Sequence, residues 1–146
     1  MRKLDELISK LKSFENEIIK VIEEVVREND NIILDMNAED QLFEKGIDRF
    51  GTEIASYAPY APLTIEIKKL KGQPTARVTL RDEGDFHKSF YIEYQSDGFQ
   101  IKASDWKTDD LIKGYGEGIL GLTDDNFHAF AVDYVKPALN EILKKL

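Results

Sequence analysis

Two histidines, an acidic cluster around Gly84, a glycine-rich stretch after residue 113 and four scattered serines are where this chain could do chemistry. His87 and His128 could ligate zinc or move a proton. Zinc needs several further His, Cys or carboxylate ligands, and neither histidine has a second histidine or a cysteine at ligand spacing. Asp82, Glu83 and Asp85 could pair for acid–base work or hold calcium. Near-consecutive positions scatter their side chains around a turn, however, and no D-x-D-x-D-G loop is present. They read instead as the acidic start of a short helix. Asp105, Asp109 and Asp110 meet the same objection. Gly114-Tyr115-Gly116-Glu117-Gly118-Ile119-Leu120-Gly121 has the glycine density of a phosphate cradle. A predicted helix precedes it, Glu117 adds charge of the wrong sign, and no Gly-Lys-Ser/Thr follows, so it is expected to be a bent, backbone-exposed connection. Ser56, Ser89, Ser96 and Ser104 lack the Gly-x-Ser-x-Gly elbow. Both histidines are expected at the surface or half buried. No catalytic, cofactor-binding or metal-ligating residue emerges, which predicts a non-enzyme.

Composition narrows the class further. The 146 residues are 42% hydrophobic and 33% charged, carry a net charge of −8 and include no cysteine. That length suits one domain burying roughly 68–70% of its unfolded surface. The negative balance argues against direct nucleic-acid recognition, which needs a clustered positive field. Without cysteine there is no disulfide framework or thiolate site. The charged start Met1-Arg2-Lys3-Leu4-Asp5-Glu6-Leu7 does not read as a signal peptide, and no apolar run is long enough to span a membrane.

The elements that would position these residues follow from periodicity. Leu4, Ile8, Leu11, Phe14, Ile18, Ile22 and Val25 recur at three- and four-residue steps, predicting a long amphipathic helix over 1–28 with a break at Asn29-Asp30-Asn31. Leu7, Ile19, Val21 and Val26 widen its apolar face, which suits core packing or self-association. A second helix is predicted from Ile32 to Lys45, stopped by Gly46. Residues 46–62, with two glycines and Pro59, read as an extended arm or hairpin-like loop. From Pro62 to Lys71 two patterns compete. Pro62 and Gly72 punctuate a helix, while Leu63, Ile65 and Ile67 alternate as in a strand. Residues 77–103 read as a small sheet with a short helix: a strand at Arg77–Arg81, the acidic turn, then a β-hairpin over about 90–103 around Ser96-Asp97-Gly98. Thr108 and Thr123 are expected helix caps. Pro137 should kink or split the C-terminal helix over 123–146 near Asp133. The fold class is α+β in a single domain.

Within this frame, Asp82 and Gly84 form a turn that leads into Phe86 and Phe90, two rings expected on one face of a short helix. Lys68, Lys69, Lys71, Arg77 and Arg81 come without an intervening acid. They read as a solvated loop or as a contact for an acidic neighbour. In the second case the contact would extend to Arg49, Phe50 and Tyr57 of the arm, and Lys68, Lys69 and Lys71 would accept Glu without loss of fold.

The stretch Thr79-Leu80-Arg81-Asp82-Glu83-Gly84-Asp85-Phe86-His87-Lys88-Ser89-Phe90 resembles the L-x-D-T-G-x-L-x-x-S-I signature of the phage virion-morphogenesis, or tail-completion, family, with Glu83 where Thr is usual. Upstream, Phe43-x-x-Gly46-Ile47-Asp48-x-x-Gly51 and Tyr57-x-Pro59 are similar to that family's helix end, glycine turn and extended segment, whose usual Trp is absent here. Downstream, Tyr115-Gly116-Glu117-Gly118-Ile119-Leu120-Gly121-Leu122-Thr123-Asp124-Asp125 is similar to its final turn and step into the last helix, without the Arg-Pro-Phe that often precedes it. The resemblance spans Phe43 to the C-terminus. It implies a non-enzymatic virion protein of a phage or prophage, without cofactor, assembled in the bacterial host cytoplasm. Its partners would be copies of itself in a ring, tail-tube proteins and connector or neck proteins. The alternative class is a monomeric cytosolic α+β binding or regulatory module, with a groove formed by the Phe86/Phe90 helix and the hairpin.

Overall fold

A computed structural model describes residues 2–96 and 98–145. They fall into two compact units, Met1–Asp30 with His128–Leu146, and Asn31–Phe127.

In the first unit, α1 (Arg2–Glu28) is the predicted long helix. The C-terminal helix is bent, as Pro137 requires: α6 (Asp124–Phe130) runs into a π-helical turn (Ala131–Val135) and then α7 (Lys136–Lys144). Proline lacks an N–H and its ring crowds the carbonyl four residues back, here that of Asp133. A π turn one step earlier relieves that crowding, and the Lys136 N–H reaches back to the Ala131 carbonyl. α1 packs on α7 and on the π turn. Val25, Val26, Phe130 and Ile142 are buried, and Phe130 stacks on Tyr134 at 5.1 Å.

The second unit opens with α2 (Asp30–Asp35), continued by a π-helical stretch (Met36–Lys45) that ends on Gly46 at φ 63°. The segment 46–57 is the hairpin-like loop, not an extended arm. Ile47 bridges Glu53, a 3₁₀ turn follows at Ile54–Ser56, and Ile54 is fully buried. The contested segment is helical: α3 (Pro62–Leu70) starts on the extended Ala61, the conformation a following proline favours. Next come α4 (Asp85–Lys88), the hairpin β1 (Phe90–Gln95) and β2 (Gly98–Ala103), and α5 (Thr108–Tyr115). The strands pair antiparallel from Phe90↔Ala103 to Gln95↔Gly98. Asp97 of the expected turn lies outside the described residues.

Four expectations need correction. Arg77–Arg81 is not a strand. The Thr79 N–H is taken by the Tyr60 hydroxyl at 2.9 Å, and Leu80 adopts φ 55°, which no ladder accepts. Thr108 lies inside α5 with no capping bond, and Asp105 accepts the Lys107 N–H instead. Thr123 does cap, accepting from Asn126 N at 3.1 Å. His87 is buried, not a surface residue. The glycine-rich connection is exposed as expected at Gly114, Gly116 and Glu117 but buried at Gly118 and Ile119. Asn37 binds the Ile119 carbonyl and Gly121 N–H, while Gln41 binds the Gly121 carbonyl and Thr123 N–H, all within 3.0 Å.

Candidate functional site

α3 has its polarity reversed. Lys68 points inward and is 8% exposed, whereas Leu63, Ile67 and Leu70, at i, i+4 and i+7, form an outward stripe with Leu70 88% exposed. Burying an ammonium is costly unless its donors are matched, and here they are. Lys68 Nζ donates to the Arg81 carbonyl at 3.0 Å and to Gln73 Oε1 at 3.4 Å, and lies 4.9 Å from the Tyr60 ring centre. Lys68 thus turns the helix so that its aliphatic residues face out.

The same lysine helps hold the Asp82 turn. The Thr79 carbonyl accepts from His87 Nε2 at 2.9 Å, and the Asp82 carbonyl accepts from Gln73 Nε2 at 3.0 Å. Asp82 Oδ1 accepts from Lys71 Nζ at 2.8 Å and from Gln73 Nε2 at 3.1 Å. Those bonds, that of Lys71 foremost, hold the Asp82 carboxyl below its ordinary value, and Asp82 in turn raises the Lys71 ammonium. Gly84 then takes φ 95° and α4 begins. Phe86 and Phe90 are both buried and meet edge-to-face at 4.9 Å, although Phe90 opens β1 and is not on the helix. His87 beside them is lowered to about 4, chiefly by burial and then by the Arg81 charge. Its Nε2 faces a carbonyl and so carries the proton, leaving Nδ1 as the neutral acceptor.

The basic segment is therefore not a row of unpartnered cations. Lys71 pairs with Asp82 and Arg81 with Glu39. Arg77 Nε donates to the Phe43 carbonyl at 2.6 Å, and both arginines lie over the Phe43 ring. Lys69 is exposed. Replacement of Lys68 by Glu would turn a carboxylate against the Arg81 carbonyl, so the expectation that all three lysines are freely exchangeable fails at that position.

Arg49, Phe50 and Tyr57 occupy a separate loop centred on buried Asp48. Asp48 Oδ1 accepts from Phe50 N and Thr52 N, and Oδ2 from the Tyr57 hydroxyl, each at 3.0 Å. Burial, then the bond to Asp48, pushes the Tyr57 phenol up to about 12. The Phe50 ring is 72% exposed under the Arg49 guanidinium, 4.8 Å from its centre.

No family model, curated protein or solved structure matches this chain. The surface must therefore speak for itself, and it offers two uncovered aliphatic stripes. One is Leu63, Ile67 and Leu70 on α3. The other is Leu4, Leu7, Ile8 and Leu11 on α1, where every described residue before Phe14 is exposed. Because residues 62–71 fit both a helix and a strand pattern, the first stripe becomes legible only in the helical form, where Leu63, Ile67 and Leu70 fall at i, i+4 and i+7. A basin of about 740 Å³ also lies along β2, lined among others by Arg49, Gln100, Asp109, Ile112 and Phe127. Phe86 and Phe90 are not among its walls; Phe86 lines a smaller hollow of about 240 Å³ with Lys68, Leu80, Asp82 and Tyr115. Among the described residues no group of three or more His, Asp and Glu converges as a metal site, and no helix is long and apolar enough to cross a membrane.

Proposed function

We propose that this protein is a non-enzymatic structural subunit of a virion, a tail-completion or head–tail connector component that works as one copy in a ring. The observation that carries this reading is the reversed polarity of α3: a lysine is buried while three aliphatic side chains remain in water. Uncovered stripes on two different helices are what a subunit needs to touch one neighbour on each side, because ring contacts are heterologous. The resemblance around Asp82–Phe90 supplies the virion setting. The α3 lysine bond to Arg81 ties that same turn to the uncovered helix.

Negative-stain microscopy and mass photometry of the purified protein, alone and mixed with isolated tail tubes, test the reading. The expected result is closed rings of uniform mass, or decoration of one end of the tube. A protein that stays monomeric and binds neither tube nor virion ends the proposal. The basin along β2 favours a second reading, a monomeric ligand-binding module. In that case a small molecule should raise the melting temperature of the monomer, and Asp109→Ala or Gln100→Ala should remove the effect.

A further inference from the structure

We infer that the open edge of β2 takes up an extended, basic segment of another polypeptide as a third strand. This goes beyond both readings above, since a ring subunit and a monomer present the same edge. All 6 residues of β2, Gly98–Ala103, line the basin of about 740 Å³. Successive side chains of a strand point to opposite faces, so a hollow that touches every residue in a row follows the strand's edge. Among the described residues the sheet has two strands, so β1 pairs one edge of β2 and no strand pairs the other. The Ser104 N–H donates to the Ser89 carbonyl at 3.2 Å, one step beyond the Phe90↔Ala103 pair. Antiparallel pairs alternate, which makes Phe99, Ile101 and Ala103 the residues whose N–H and C=O groups turn away from β1. None of these groups has a hydrogen-bond partner among the described residues.

The rest of the lining sets the partner's chemistry. Phe99 and Ile101 share the more buried face of β2, and Ile112, Leu122 and Phe127 line the same space. An added strand would therefore bury apolar side chains at alternate positions and leave polar ones between them. Thr108 of α5, also in the lining, keeps a buried hydroxyl without a partner, so polar groups are unmet on the helix as well as on the strand. The charges are unequal. Asp109 and Glu117 stand in no ion pair among the described residues, whereas Glu93 holds Lys102 at 3.1 Å and the Arg49 guanidinium lies over Phe50. Basic side chains on the incoming strand answer the two acids. β2 of a second copy offers one cation, Lys102, already paired with Glu93, so the complementary strand belongs to a different chain.

The probe is the capped peptide acetyl-Lys-Val-Lys-Val-Lys-Val-Lys-amide, titrated at low salt into the isotopically labelled full chain and followed by amide NMR. Saturable shifts and slowed hydrogen exchange at the Phe99, Ile101 and Ala103 amides are expected. The same peptide N-methylated at every residue has no N–H to donate and should not bind. Ala103→Pro removes an outward N–H that lies outside the β1 ladder; it should fold as wild type by circular dichroism and lose binding. The peptide with Glu for every Lys should bind about fivefold more weakly, and Asp109→Asn with Glu117→Gln should erase that difference. No binding of the lysine peptide, shifts confined to residues away from β2, or equal binding of the N-methylated peptide overturns strand addition. Equal affinity for the Lys and Glu peptides overturns the basic partner. Shifts at the same amides that grow with protein concentration alone reveal β2 pairing between copies and overturn the assignment to a different chain. Each of these results leaves the ring reading standing, because microscopy tests that separately.

Discussion

The Asn37–Gln41 pair and α3 both break the rule of apolar inside and polar outside, and they do so with opposite results. Asn37 and Gln41 are fully buried polar side chains, and the nitrogen and the oxygen of each amide both have partners. Asn37 bonds Ile119 and Gly121, while Gln41 serves Gly121, Thr123 and Asn126. α3 likewise satisfies its buried lysine, yet its outer face leaves Leu63, Ile67 and Leu70 in contact with water. A polar group goes inside at little cost when geometry supplies its partners. Solvated leucines on a folded helix gain nothing from any such arrangement. The first region is finished within the chain, and the second leaves its aliphatic face uncovered.

That contrast sets the expected sizes of mutational effects. Truncation of well-packed or fully bonded interior residues should cost most. Phe90→Ala, which removes a buried ring and its edge-to-face contact with Phe86, should lower stability by about 3–5 kcal/mol in urea denaturation. Gln41→Ala leaves the Gly121 carbonyl and the Thr123 N–H without their partner. At about 1–3 kcal/mol for each buried group, a loss of about 3 kcal/mol is expected by the same measurement.

Acid should reach the interior through His87. Its folded value of about 4 lies below the ordinary 6.5, so the unfolded chain takes up the proton first. The stability tied to the neutral ring is complete above pH 6.5 and drains as the pH falls toward 4, by about 3 kcal/mol in all. Melting curves across that window should flatten in His87→Gln relative to wild type, after allowance for the shared loss from carboxylates. Least affected should be the unfinished face. Leu63→Ser and Leu70→Ser should each move monomer stability by no more than ~0.5 kcal/mol, because neither side chain is packed. A loss of several kcal/mol from either would mean that the stripe is intramolecular core.

Local pattern carried much of the fold. The three- and four-residue spacing of Leu4 to Val25 marks α1, the aromatic and β-branched residues on either side of residue 97 mark the hairpin, and Pro137 locates the bend in the last helix. What stayed hidden depends on partners distant in the chain. Arg77–Arg81 has strand-forming residues, but Tyr60 takes the Thr79 N–H and the Leu80 backbone turns left-handed. Asn37 and Gln41 act across about 80 residues, and no short window signals that. The face presented by α3 is equally illegible, since Lys68 turns inward only because Arg81, Gln73 and Tyr60 converge on it. The Asp82–Gly84 turn into Phe86 is readable, whereas the partners of the basic residues beside it are not, because Glu39, which pairs with Arg81, lies 42 residues away.

The central claim is that the exposed stripes of α1 and α3 are surfaces covered by another copy. Sedimentation velocity of the wild type beside a Leu4→Ser/Leu70→Ser double variant, at matched concentrations and with matched melting temperatures, tests it most directly. The account predicts concentration-dependent association of the wild type and a monomer for the variant. Identical sedimentation of the two proteins would contradict it.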